Sequence, residues 1–149
     1  MIRLKKGLVI GMTQQVEKKL TNEYFAKNFL EAHVQRRAAL GPTQVPIVNK
    51  SMNVITRWAD AIVFEPNLIT IIEFKMEPKG DAVGQLELYE QMFGKSIAYR
   101  QYWDRPIKKL LVTTRIDDAV QELCESHNIE YQVFRPDWIP FWEKQRFRT

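Results

Sequence analysis

Apolar residues recur first at helical spacing and then, after a break, in short dense runs. Val16, Leu20, Tyr24, Phe25, Phe29 and Leu30 fall on one helical face, with lysines, Glu17, Glu23 and Asn28 between them. This predicts a helix from Thr13 to His33, with Thr13 as a candidate N-cap. Gly41-Pro42 breaks the pattern, and a short strand is expected over Val45–Val48. Two stronger strand signals follow, Thr56–Phe64 and Leu68–Lys75, both rich in β-branched and aromatic residues, with Glu65-Pro66-Asn67 between them as turn chemistry. Asp81–Phe93 reads as a helix closed by Gly94, Ile107–Thr114 as a strand, Asp117–His127 as a helix and Glu130–Phe134 as a last strand. The alternation of element types predicts an α/β layered fold, and the length suits one domain over residues 1–149.

A turn centred on Pro66-Asn67 fixes the register of the two strong strands: Phe64 faces Ile69, Ile62 faces Ile71, and Asp60 faces Glu73. Because proline disfavours the tight primed turns, a four-residue loop, Glu65 to Leu68, is the expected connection with that centre. Side chains alternate across a strand, so Asp60, Ile62, Phe64, Ile69, Ile71, Glu73 and Lys75 share one face, and Ala59, Ala61, Val63, Thr70, Ile72 and Phe74 the other. Both faces are mostly apolar, which predicts a sheet covered on both sides. Two acids whose Cβ atoms stand about 5 Å apart repel one another, and burial raises the cost of ionising them. Either a divalent cation bound by the oxygens offsets this, or Lys75 neutralises one acid while the other reaches water.

The net charge of +4 and pI of about 9.2 permit a polyanionic partner such as nucleic acid without requiring one. The single cysteine, Cys124, excludes an intrachain disulfide framework and a four-cysteine zinc or iron–sulfur site. It suits a reducing compartment, and with neither a signal-peptide core nor a bilayer-length apolar run, the expected location is cytoplasmic.

The segment Ala59-Asp60, twelve residues, then Glu73-Phe74-Lys75 resembles the motif of the PD-(D/E)XK nuclease superfamily, with alanine in place of the usual proline. Gln85 and Tyr89, four residues apart on the helix after the lysine strand, resemble the QxxxY motif of its RecB-like branch. The order of elements is similar to that family's restriction-endonuclease-like αβββαβ core, a mixed sheet flanked by helices. The resemblance implies a metal-dependent DNA nuclease, an endonuclease or structure-specific nuclease acting in repair, recombination, or a mobile element or virus. Asp60 and Glu73 would bind Mg²⁺ or Mn²⁺ with the Phe74 carbonyl. Lys75 would orient or help deprotonate the attacking water, and Gln85 and Tyr89 would position the site and a DNA phosphate. An acid on the first helix would complete the metal site; Glu17 is the choice and Glu23 the alternative. The iron–sulfur subtype is excluded for want of cysteines.

Two aromatic-basic segments, Tyr99–Arg105 and Trp138–Arg148, offer candidate DNA contacts in Arg100, Arg105, Arg146 and Arg148, whereas Trp138, Phe141 and Trp142 are expected to pack on the core. His33 and His127 have no partner at metal-ligand spacing, Cys124 falls on an apolar helical stripe with Val120 and Leu123, and there is neither a phosphate-binding glycine loop nor a serine elbow. The competing expectation is a catalytically silent nuclease-fold module that binds DNA or a partner chain, and self-association is compatible with either.

Overall fold

The computed structural model describes residues 2–41 and 56–146, with side chains from residue 14 onward. In chain order these form α1 (Ile2–Lys27), β1 (His33–Leu40), β2 (Arg57–Glu65), β3 (Leu68–Lys75), α2 (Asp81–Phe93), a short 3₁₀ stretch (Ile97–Tyr102), β4 (Ile107–Thr113), α3 (Asp118–Ser126), β5 (Ile129–Val133) and α4 (Ile139–Arg146). The strands make one mixed sheet in the order β1-β2-β3-β4-β5. The first three are antiparallel neighbours; β3, β4 and β5 run parallel. The α/β class and the helix, three strands, helix, strand order are therefore as expected.

Each sheet face has its own core. On one face Ile62, Phe64, Ile69, Ile71 and Leu111 meet Leu86, Tyr89 and Phe93 of α2 and Val120 and Cys124 of α3. On the other, Ala61, Val63, Ile72, Phe74, Leu110 and Val112 meet Tyr24 of α1. Tyr24 packs edge-on against Phe74, with ring centroids 5.2 Å apart, and its hydroxyl donates to Gln132 Oε1 at 2.8 Å. A smaller cluster of Leu20, Met76 and Ile139 joins α4 to α1 beside the end of β3. Leucine or isoleucine to alanine in these clusters should cost about 2–5 kcal/mol.

Several boundaries differ from the sequence reading for identifiable reasons. The first helix begins at Ile2, so Thr13 lies inside it, and it ends at Lys27. Asn28 still makes the helical bond from its N–H to the Tyr24 carbonyl, to which its Nδ2 also donates, and the chain leaves the helix at Phe29, which turns left-handed with φ 60°. Phe29 and Leu30 continued the helical spacing in the sequence, but Leu30 is 72% exposed. The strand that pairs with β2 is His33–Leu40, too polar at Gln35-Arg36-Arg37 to show alternation, and the expected strand at Val45–Val48 lies outside the described residues. The β2–β3 turn holds only Pro66 and Asn67, since Glu65 and Leu68 are already paired.

The register from Phe64–Ile69 to Ile62–Ile71 is the one expected, but the ladder stops at Ala61–Ile72, short of Asp60–Glu73. On the other edge of β2 the pairs run Arg36–Ala61 and then Ala38–Ala59, skipping Arg37 and Asp60. Arg37 sits at φ 51°, a left-handed conformation that costs a non-glycine residue about 1–2 kcal/mol. Beyond this kink the faces exchange. Ala59, expected with Ala61 and Val63, joins Ala38 and Leu40 in the α2-side core instead. Asp60 is thus released from regular pairing on both sides.

Candidate active site

The Asp60 carboxylate takes up one of the hydrogen bonds the ladder leaves open: its Oδ2 accepts from the Phe74 backbone N–H at 2.8 Å. This brings the carboxylate beside Glu73, which is 6% exposed. Glu73 Oε2 is buried without a hydrogen-bond partner. Burial above all, then the negative charge of Asp60 and a hydrogen bond with its carboxyl that needs a proton, push the Glu73 carboxyl up from 4.5 to about 9; Lys75 opposes this and Glu17 adds to it. The Lys75 ammonium lies 3.7 Å from Asp81 Oδ2, at the first residue of α2.

Glu17 reaches the same place from α1. It lines one cavity with Asp60 and Phe74, and its carboxyl is pushed up by burial and by Asp60, against the pull of Lys75 and Lys79. Glu23, the alternative, is turned to α4, where its Oε2 accepts from Trp138 Nε1 at 2.6 Å. From α2, Tyr89 is buried, and its hydroxyl is pushed up to about 12 by burial, then by the charges of Glu73 and Asp60, so it stays a proton donor. Gln85, one turn earlier, has its Oε1 buried without a partner. The structure therefore gathers Asp60, Glu73, Phe74, Lys75, Glu17 and Tyr89 at one end of β3, with Gln85 one turn before Tyr89 on the same helix.

Among the described residues no three His, Cys, Asp or Glu side chains form a ready-made metal cluster. The candidate is instead the carboxylate pair, with the Phe74 carbonyl in the chain between Glu73 and Lys75. The donor set fits a hard divalent cation: oxygen atoms only, one of them buried and orphaned, on acids that repel one another.

The arginines are scattered. Arg105 donates from Nη1 to the Glu65 carbonyl at 2.8 Å and lies over the Tyr102 ring, which places it at the hairpin-turn end of β3. Strand rise puts that end roughly 17 Å from Glu73. Arg100 is exposed on the 3₁₀ stretch. Arg146 reaches the carboxylate end, its Nη1 2.7 Å from Glu77 Oε1, and Arg148 lies outside the described residues. Trp138 and Trp142 pack as expected, but Phe141 is 66% exposed, because helical spacing turns it away from the face that carries Ile139 and Trp142. Cys124 is fully buried, as expected for core.

Four residues near Asp60 escaped the sequence reading: Lys18, Arg36, Arg37 and Trp58 line its cavity, of about 390 Å³. Arg57 is a fifth, close enough to Tyr89 to ease loss of its proton. No periodicity marks β1, and only the broken alternation at Arg37 and Asp60 carries the information.

Among the described residues no helix is long and apolar enough to cross a membrane. No protein-family model matches the chain, and no curated protein matches it. Among solved structures, a repair endonuclease from Pyrococcus abyssi is similar at 16% identity and a TM-score of 0.49, over 82% of this chain and 47% of that one. The EndoMS–dsDNA2 complex is similar at 16% identity and a TM-score of 0.49, over 80% and 45% respectively. The chain thus spans about half the length of the solved proteins it matches.

Proposed function

We propose that the protein is a DNA nuclease that hydrolyses phosphodiester bonds with Mg²⁺ or Mn²⁺ held by Asp60, Glu73 and the Phe74 carbonyl, and closed from α1 by Glu17. The observation that carries this reading is the orphaned, buried Glu73 oxygen beside Asp60, an arrangement that raises the energy of the ion-free protein and is relieved by a cation. A divalent ion in that position supplies positive charge against the scissile phosphate and a nucleophile at neutral pH. Lys75, held near Asp81, orients the attacking water and assists its deprotonation. Tyr89, kept protonated, donates a hydrogen bond to a phosphate oxygen, and Gln85 helps to fix that phosphate beside it.

The test is to incubate the pure protein with supercoiled, linear, single-stranded and branched DNA, with and without Mg²⁺ or Mn²⁺, beside Asp60→Ala, Glu73→Ala and Lys75→Ala. Metal-dependent cleavage lost in all three variants is the expected result. Cleavage that persists in Asp60→Ala or Glu73→Ala excludes this site, and no cleavage by the wild type on any substrate favours a silent binding module.

A further inference from the structure

Two adjacent residues of a regular strand face opposite sides of a sheet, yet Arg36 and Arg37 both line the cavity beside Asp60, as do Trp58, Ala59 and Asp60 on the facing strand. The left-handed backbone at Arg37 makes this arrangement compatible with strand pairing on either side of the kink. Strained backbone maintained at the rim of a cavity is an observation from which function can be inferred. Here it gathers two cationic side chains from β1, opposite Lys18 of α1 and next to an aromatic ring.

The surfaces so gathered are available to a ligand. Trp58 is 52% exposed, and the Arg37 guanidinium carbon lies 5.7 Å from its ring centroid. Arg36 is fixed by donating from Nη1 to Asn22 Oδ1 at 2.5 Å. Among the described residues Lys18, Arg36 and Arg37 form no ion pair with a carboxylate, and the remaining segments contain no Asp or Glu. Cations outside the ion pairs of the described residues, beside an accessible indole, match a polymer of phosphates and flat bases. A base inside a duplex is already stacked on both sides, so only an unpaired one can reach an indole face.

We propose that this groove seats single-stranded DNA, or the unpaired end of a duplex, with one base stacked on Trp58 and its flanking phosphates on Arg36, Arg37 and Lys18. It thereby leads an unpaired strand to the Asp60–Glu73 centre. The proposal rests on the nuclease reading for the identity of the polymer, but on different residues.

Fluorescence anisotropy of the metal-free protein tests it, with a labelled oligothymidylate, an abasic oligomer carrying the same phosphates, and a blunt duplex of equal length. The wild type should prefer oligothymidylate to both other ligands. Trp58→Ala should weaken oligothymidylate binding about tenfold and leave the abasic oligomer unaffected, with Trp58→Phe restoring most of the loss. Arg37→Ala should weaken both single-stranded ligands and reduce the salt slope by about 0.7. The proposal is overturned if the wild type binds none of the ligands, prefers the duplex, or holds the abasic oligomer as tightly as oligothymidylate. It is overturned equally if Trp58→Ala changes nothing or weakens both single-stranded ligands alike. Because cleavage is not read, an inactive protein with the Trp58 signature sinks only the nuclease reading. An active protein indifferent to Trp58→Ala sinks only the groove.

Discussion

Two buried ionisable side chains stand on the same face of the sheet, and their surroundings differ. Lys109 of β4 is 6% exposed, as is Glu73 of β3. The Lys109 ammonium is fully provided for: it lies 2.9 Å from Glu87 Oε1, 3.4 Å from Glu90 Oε2 and donates to the His127 carbonyl at 3.3 Å. Its carboxylate partners hold it more firmly protonated than usual although burial pulls the other way. Glu73 has instead a second acid as its close neighbour and an oxygen with no partner. A satisfied buried ion ties elements together, here α2, α3 and β4. An unsatisfied one costs stability, and persists where something absent from the bare chain completes it.

The largest expected separation between the two is in activity. Asp60→Ala or Glu73→Ala should reduce metal-dependent DNA cleavage a hundredfold or more, whereas Lys109→Met, assayed below its unfolding transition, should cleave within about threefold of wild type. Steady-state cleavage of one labelled substrate at saturating Mg²⁺ checks both. If Lys109→Met lost activity as Glu73→Ala does, the division between structural and functional charge would fail.

Stability should order the variants the other way. Lys109→Met strands Glu87 and Glu90 and should destabilise the fold by about 1–3 kcal/mol in urea, the range being lowered because both acids remain partly exposed. Glu73→Gln spares the fold the proton that the buried acid must take up above pH 4.5, and should raise the melting temperature of the metal-free protein at neutral pH.

The pH dependence sharpens the contrast. The folded carboxyl of Glu73 lies near 9, above its ordinary 4.5, so the fold favours the protonated acid. Its contribution is complete below the ordinary value and lost as pH rises towards 9. Urea unfolding of the metal-free protein across that range should therefore show a decline for wild type that flattens in Glu73→Gln. Equal slopes for the two proteins would contradict the assignment.

The smallest effect provides a scale for the others. Asp117 caps α3 by accepting from the Val120 N–H at 3.1 Å, so Asp117→Ala should cost about 1 kcal/mol and leave cleavage unchanged.

The legibility of the sequence follows the same physics. β3 and α2 were readable to the residue because their patterns are dense and bounded by Pro66, Pro78, Gly80 and Gly94. Pairing from Phe64–Ile69 to Ile62–Ile71 followed from the turn centre alone. β1 was not readable: at the edge of the sheet among the described residues, and with polar residues at Gln35, Arg36 and Arg37, it has no periodicity to show. The placement of Asp60 was foreseen only in outline. Period-two alternation assumes regular pairing, and the left-handed Arg37 with the skipped Arg37–Asp60 pair breaks it where the carboxylate must leave the ladder. Arg36, Arg37 and Trp58 became neighbours of the site through that same irregularity, which composition and spacing do not encode.

The central claim is that Asp60 and Glu73 share one cation. Calorimetric titration of Mn²⁺ into wild type, Asp60→Ala and Glu73→Ala at neutral pH measures it directly. The account predicts a single bound ion in the wild type and none in either variant. A wild type that takes up no ion, or variants that bind it as tightly as wild type, would contradict it.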